Sequence, residues 1–447
     1  MLDFFTSIDD FVWGPPLLVL LVGTGIYLTI RLGLLQIIRL PKAFKLIFAE
    51  DKGEGDISSF AALATALAAT IGTGNIVGVA TAIKTGGPGA LFWMWIAAFF
   101  GMATKYAEGL LAIKFRTLDD QGNVSGGPMY YITHGFSGKW QIIAKPLAYF
   151  FAFAGVLVAW LGIGTFSQVN SITSSLQNSF GWSPKIVSVI LALITAAIIF
   201  GGIQSISKVS EKVVPFMAGL YIIAALIVIF ANFNQLLPVL EMVFQSAFTG
   251  KAAVGGFAGA TVMAAMRLGI ARGVFSNESG LGSAPIAAAA AKTEEPVEQG
   301  LISMTGTFID TIIICTLTGL AILVTGQWSG SLEGAPMTQA AFSSIFGTFG
   351  ELALTLSLVL FAFTTILGWS YYGERCFEFI FKSTKFLSFY RLIFVVMVAL
   401  GGYLTLEVVW KIADIVNGLM ALPNLIALLV LSPIIIKETK SYFERHK

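Results

Sequence analysis

The stretch ARGVFSNESGLGSAP, residues 271–285, lies between two apolar runs, AAVGGFAGATVMAAM before it and IAAAAA after it. A helix that crosses a bilayer gains nothing from Arg, Ser, Asn, Glu and three Gly at its middle. Gly loosens a helix, and Ser and Asn side chains offer the backbone other hydrogen bonds. At membrane depth no water replaces the lost pairing, so such a stretch persists only inside protein or along a cavity. The first question is therefore whether its surroundings are membrane.

Composition answers it. Of 447 residues, 56% are hydrophobic and 12% charged, against roughly 25% charged in a soluble domain. The apolar residues come in runs of membrane-helix length, not in the alternating segments of a barrel. The class is an all-α polytopic membrane protein. A net charge of +2 offers no basic surface for nucleic acid. Cys315 and Cys376 both fall in apolar segments and read as small hydrophobes, with no disulfide or metal site expected. The opening FFTSIDDFVWGPP has neither a basic start nor a small-residue cleavage site, so the first helix reads as retained.

Eleven transmembrane helices are expected, near 15–37, 60–84, 90–115, 143–178, 184–202, 212–231, 254–291, 300–325, 350–380, 387–403 and 406–436. A short amphipathic stretch, LPKAFKLIF, follows the first. Lys and Arg gather in one set of loops: Arg31 to Lys52, Lys114 to Lys145, Lys208 and Lys212, Lys292, Arg375 to Arg391, and the tail from Lys437. The alternate set holds little beyond Lys84, Lys185, Lys251 and Lys411. The positive-inside rule then puts the N-terminus outside and the C-terminus in the cytoplasm of a multi-pass cell-membrane protein. The Lys- and Arg-free loop 325–350 falls outside by the same rule.

A second segment is polar at its centre: SSFAALATALAATIGTGNIVGVATAIKTGGPG, with Thr70, Gly72, Thr73, Gly74 and Asn75. Alone, GTGNIVG suits close helix packing equally well. Its position decides. Counted from the second segment, the two interrupted helices are first and sixth of ten. Five helices apart, they start on opposite sides of the membrane. An inverted 5+5 repeat with discontinuous helices in matching positions marks the substrate site of a transporter. The expected division is an N-terminal extra helix and amphipathic segment (1–58), two five-helix repeats (59–232 and 233–436) and a tail (437–447).

The stretches IGTGNIVGVATAIKTGGPGALFWMW (71–95), SGGPMYYI (125–132) and RGVFSNESGLGSAP (272–285) resemble the alanine or glycine:cation symporter family, and the likeness runs along essentially the whole chain. One departure is Ser279, where the family pattern also suggests Ala. The resemblance implies a leucine-transporter-type fold and uptake of alanine or glycine with sodium, or sometimes protons, and no cofactor beyond the coupling ion.

A zwitterionic amino acid must exchange water for polar partners at both charges. Half-helix N-termini offer N–H groups to a carboxylate, and half-helix C-termini offer carbonyls to an ammonium or to sodium. The carboxylate is assigned to the backbone at Thr73, Gly74 and Asn75. The ammonium is assigned to carbonyls around Gly273, Val274 and Ser276, with the Asn277 side chain. Gly72 and Gly74 are expected to let the ligand touch backbone. Phe166 and Trp369 suit either a pocket wall or ordinary packing. Gln168, polar at membrane depth, needs a partner and is read as a site residue. The resemblance also implies a sodium ion between the first break and a Thr/Ser pair on the eighth core helix. Thr364 and Thr365 match that pair, and the carbonyls of Ala68 and Ile71 are placed with them. The bland reading of both Thr is a hydroxyl bonded one turn back.

Charges near the breaks read modestly. Arg272 and Glu278 are expected to pair, as are Lys105 and Glu108, and Asp310 is expected early in its helix near the surface. Rival readings are a channel, an intramembrane enzyme and an amino-acid sensor on the same architecture. Channels favour rings of like groups. No H-E-x-x-H or G-x-S-x-G is present, and the two His, His134 and His446, lie in a loop and the tail. Alanine against glycine, sodium against proton, and oligomeric state stay open at this level.

Overall fold

The structure, a computed structural model, describes residues 2–51, 53–249, 262–403 and 406–446. Lys52, Lys251 and the 254–261 part of the seventh expected segment lie outside the described residues. Eight described helices are long and apolar enough to cross a membrane, and the bent pair Ser59–Thr70 with Gly74–Gly86 makes a ninth. Pro184–Ile199 and Val262–Asn277 are shorter, at 16 residues each. The expectation of eleven spans therefore stands against eight or nine that meet the length and apolarity of a membrane crossing among the described residues.

The first break is built by its sequence. Ser58 caps the helix Ser59–Thr70, its side chain accepting from the Ala61 N–H at 2.9 Å. Ile71 then turns to extended backbone, and a π-helical turn, Gly74–Gly78, leads into Val79–Gly86 at a bend of 51°. The second break follows Val262–Asn277. Glu278, Gly280 and Gly282 take left-handed φ of +57°, +89° and +80°, and the helix restarts as Ala284–Ala288. Gly280–Pro285 therefore restarts and packs the helix, as its composition suggests.

A third interruption was not foreseen. The segment expected unbroken at 143–178 divides into Gln141–Leu161 and Phe166–Phe180. Gly162 and Gly164 are the cause. A β-carbon on Gly164 would come within 2.9 Å of the Trp369 Cβ, so the close approach of the long helix Thr348–Phe381 requires Gly there.

Three stretches read as connections or tails are helical. The loop 325–350 contains Gly334–Phe346, the linker after 231 contains Phe233–Thr249, and the tail belongs to Ser432–Arg445. This last helix is held by Lys114–Glu438 at 2.7 Å and Arg445–Glu295 at 2.9 Å. The amphipathic LPKAFKLI is a helix, Leu40–Ile47, with Ala43 and Ile47 buried. The N-terminal helix Leu2–Val12 is tied by Asp9 to Lys411 at 2.6 Å and by Asp10 to Arg267 at 2.5 Å.

Candidate functional site

The two breaks meet. A β-carbon on Gly74 would lie 2.9 Å from the Ser276 Cα, and one on Gly72 would lie 2.5 Å from the Thr365 Oγ1. What these glycines admit is neighbouring helix, a different role from the ligand contact expected of them.

Between the breaks stands Asp310, the residue the sequence reading put near the surface. It is fully buried. Asn75 Nδ2 donates to its Oδ1 at 2.8 Å, Ser276 Oγ to its Oδ2 at 2.9 Å, and Thr311 Oγ1 to Oδ2 at 2.7 Å. The span begins at Pro296 and runs to Val324, so Asp310 is mid-span and not at its start. It falls in a π-helical stretch, Phe308–Cys315, a form concentrated at functional sites. A lone acid inside GTFIDTIIICTL was the available signal. Cys315, read as an ordinary thiol, lies 3.4 Å from Asn75 Nδ2 and 3.3 Å from Ser276 Oγ.

The first break holds its own donors. Gly72 N–H donates to Asn75 Oδ1 at 2.9 Å, Thr73 N–H to Gln168 Oε1 at 3.3 Å, and Asn75 N–H to the Gly72 carbonyl at 3.3 Å. In an unbroken helix the N–H groups of Gly72 and Thr73 would close the carbonyls of Ala68 and Ala69. Their diversion leaves those carbonyls without helical donors. Thr73 Oγ1 and Gln168 Nε2 are buried and have no hydrogen-bond partner among the described residues. Phe166, two residues before Gln168, is buried at the start of its helix.

The second break departs from its expected geometry. The helix runs on through Asn277, and Glu278 N–H closes the Val274 carbonyl at 2.8 Å. Gly273 lies a residue further inside the same helix, and its nearest neighbour for an added β-carbon, at 3.5 Å, is Met94. The carbonyls that lose helical donors are those of Phe275 and Ser276, because Ser279 N–H turns to Asn277 Oδ1 at 2.9 Å and Gly280 N–H to Glu108 Oε1 at 3.1 Å. Asn277 Nδ2 donates to Thr311 at 3.0 Å, so this side chain braces the break. Ser279 donates to or accepts from Thr307 at 2.8 Å, which gives its hydroxyl a use.

The expected charge pairs are replaced. Residues 272 and 278 are six apart on a helix that ends between them, so they face different directions. Arg272 instead forms a two-point pair with Asp414, at 3.0 and 2.7 Å. Glu278 accepts from Trp369 Nε1 at 2.8 Å and Ser283 Oγ at 2.5 Å. Trp369 thus braces the second break instead of standing free as a cap. Lys105 and Glu108 do not pair directly either. Lys105 Nζ donates to the Asn277 carbonyl at 2.8 Å, while Glu108 Oε1 accepts from Gly280, Gly282 and Asn424 at 3.1, 3.2 and 2.6 Å.

Of the sodium candidates, Thr365 is brought to the first break, with Oγ1 3.4 Å from the Ile71 carbonyl. Thr364 turns toward Met217, at 3.6 Å from its sulfur. Both hydroxyls donate to the Phe361 carbonyl at 3.0 Å, which leaves their lone pairs outward.

A cavity of about 520 Å³ is lined by Val77, Gly78, Ser171, Arg272 and Asp414, and by Gln339 of the helix Gly334–Phe346. Beside Thr70 and Lys105 the gap is about 10 Å³.

The sodium:alanine symporter family matches residues 1–447, the full chain. The chain belongs to that family. Among its relatives, an uncharacterised transporter of Haemophilus influenzae is 55% identical over 99% of this chain and 96% of its own. The sodium/alanine symporter AgcS of Methanococcus maripaludis is 51% identical over 99% and 97%. The crystal structure of MhsT in complex with L-phenylalanine aligns with a TM-score of 0.59, covering 86% of this chain and 98% of MhsT at 13% identity. That likeness supports the leucine-transporter-type fold alone. This member of the sodium:alanine symporter family is a multi-pass membrane transporter and not an enzyme.

Proposed function

We propose that this transporter carries a small neutral amino acid, alanine or glycine, into the cell by sodium-coupled symport. The observation that carries the reading is the polar centre at the breaks: Thr73 Oγ1 and Gln168 Nε2, buried without partners among the described residues, and the buried Asp310 carboxylate, joined to the same break through Asn75. Two donors suit a substrate carboxylate. Asp310, which makes no ion pair within 4 Å among the described residues, suits a cation, and the substrate ammonium or a sodium ion meets that demand. The carbonyls of Phe275 and Ser276 extend the cationic end.

The sodium ion is assigned to the carbonyls of Ala68 and Ile71 and the hydroxyl of Thr365, with Thr364 a less direct candidate. All are hard oxygens of the kind alkali ions take, by analogy with calcium sites. On the orientation that Lys and Arg dictate, N-terminus outside, the 520 Å³ cavity opens outward. In alternating access the broken helices rock against the rest and exchange that opening for one on the cytoplasmic side. One positive charge moving through about 100 mV supplies about 2.3 kcal/mol, or about fifty-fold accumulation. The repeats 59–232 and 233–436 each contribute one break to this centre.

The test is uptake of labelled alanine and glycine by proteoliposomes under a sodium gradient, a proton gradient and neither. Sodium-driven accumulation is expected. Accumulation driven by the proton gradient alone would replace sodium by proton in this reading, and equal uptake in all three would sink symport.

A further inference from the structure

At the end of the molecule opposite the 520 Å³ cavity lies a second large cavity, about 550 Å³, between the end of the first membrane helix and the C-terminal helix. Its cations are Arg31, Arg39 and Lys440, and Leu35, Ile38 and Phe443 stand among them. We propose that it binds the phosphate headgroup of an anionic phospholipid.

The backbone builds the cavity. After Arg31 the chain reverses through Gly33 and Leu34, both left-handed at φ +66° and +57°, and Leu34 N–H closes back on the Thr29 carbonyl at 3.0 Å. Gln36 Nε2 bonds Thr29 Oγ1 at 2.9 Å and fixes the reversal. The turn lays Leu35–Ile38 and the amphipathic Leu40–Ile47 across the end of the span, which returns Arg39 to the side of Arg31. From the other wall, Ser432–Arg445 brings Lys440 and Phe443.

The cations outnumber the acids. Arg31, Arg39 and Lys440 make no ion pair within 4 Å among the described residues. The lining contains one acid, Glu444, against three cations. Arg31 donates to Tyr27 at 3.2 Å, and the Arg39 guanidinium stacks 4.1 Å from the Phe443 ring centre. Stacking occupies the face of a guanidinium and leaves its in-plane donors for an oxyanion.

The surroundings favour a lipid over a soluble anion. Ile38 lines the cavity and is 61% exposed. An anion that carries its own acyl chains meets this apolar surface and the Arg and Lys together, whereas a soluble anion meets the cations alone. Basic pockets between membrane helices on the cytoplasmic side bind such headgroups, and the Lys and Arg distribution puts this end in the cytoplasm, where the leaflet is anionic.

The test uses purified full-length protein in neutral detergent–phosphatidylcholine micelles, with thermal unfolding followed as phosphatidylglycerol is added. Phosphatidylglycerol is expected to raise the unfolding temperature in a saturable way. The half-effective concentration should rise at least about ten-fold in Arg39→Gln and in Lys440→Gln, and rise less in Arg39→Lys, which keeps the charge but loses the stacked guanidinium. Lys440 is exposed, so its variant keeps the fold if Arg39→Gln does not. Native mass spectrometry should find fewer retained phosphatidylglycerol molecules on the Gln variants. Equal stabilisation by phosphatidylcholine, an unchanged titration in Lys440→Gln, or full reproduction of the shift by inorganic phosphate or glycerol 3-phosphate would each overturn the proposal.

Discussion

Asn75 and Asp310 are 235 residues apart and joined by a 2.8 Å hydrogen bond between amide and carboxylate. Ser276, from the other break, takes the second carboxylate oxygen at 2.9 Å. One acid therefore holds both interruptions in register. Hydrogen bonds to a charged group are worth about 1.5–3 kcal/mol each. Asp310→Asn keeps the volume and removes the charge. Alanine uptake should fall at least about ten-fold, with the unfolding temperature changed far less than in Asp310→Ala. Wild-type uptake by Asp310→Asn would remove the acid from the transport site.

Gly74 should tolerate no side chain. An added methyl meets the Ser276 Cα at 2.9 Å, a backbone contact that cannot swing away. Overpacking of this kind costs about 1–3 kcal/mol. Gly74→Ala is expected to lower both stability and uptake. Gly219→Ala, where an added β-carbon has nothing within 4 Å, serves as the control and should match wild type.

Thr365 and Thr364 should separate in a sodium titration. Thr365 faces the Ile71 carbonyl while Thr364 faces Met217. Thr365→Val preserves shape and removes one oxygen. The sodium concentration for half-maximal uptake should rise by about ten-fold, or about 1.4 kcal/mol, and Thr364→Val should raise it less. The reverse order would move the ion away from the first break.

Arg272 and Asp414 form a two-point pair with side chains 16% and 8% exposed. Removing one partner of such a pair strands the other, at a cost of about 3 kcal/mol for a site this enclosed. Arg272→Gln and Asp414→Asn should each lower the unfolding temperature in detergent. The double variant should lose less than the sum of the two. Strict additivity would mean that the pair contributes nothing.

The membrane class, both breaks and the meeting of the two breaks were legible in the sequence, because polar residues at membrane depth have few physical explanations. That Gln168 needs a polar partner was legible for the same reason, and it finds one in the Thr73 N–H. What escaped was pairing. Arg272 and Glu278 are near in sequence, but the helix that carries Arg272 ends before Glu278, and Arg272 finds its partner at Asp414 through tertiary packing alone. Asp310 was read as near the surface although it falls well inside the expected segment 300–325; what the sequence does not show is that Asn75 and Ser276 converge on it. The third interruption, at Gly162–Thr165, falls inside the segment expected at 143–178, where neither glycine was read as a break. Which of the carbonyls at 273–276 lose their donors depends on where one helix stops, and sequence patterns locate such ends only to a few residues.

The Gln168 contact has a kinetic side. While its side-chain oxygen holds the Thr73 N–H at 3.3 Å, that donor is never bare in the middle of the membrane. On the proposed reading the same amide serves both ends: its oxygen stays on the break while its Nε2, which has no partner among the described residues, turns to the cargo carboxylate. The seat for that carboxylate is then set before the cargo arrives, and little has to be reordered when it binds or leaves.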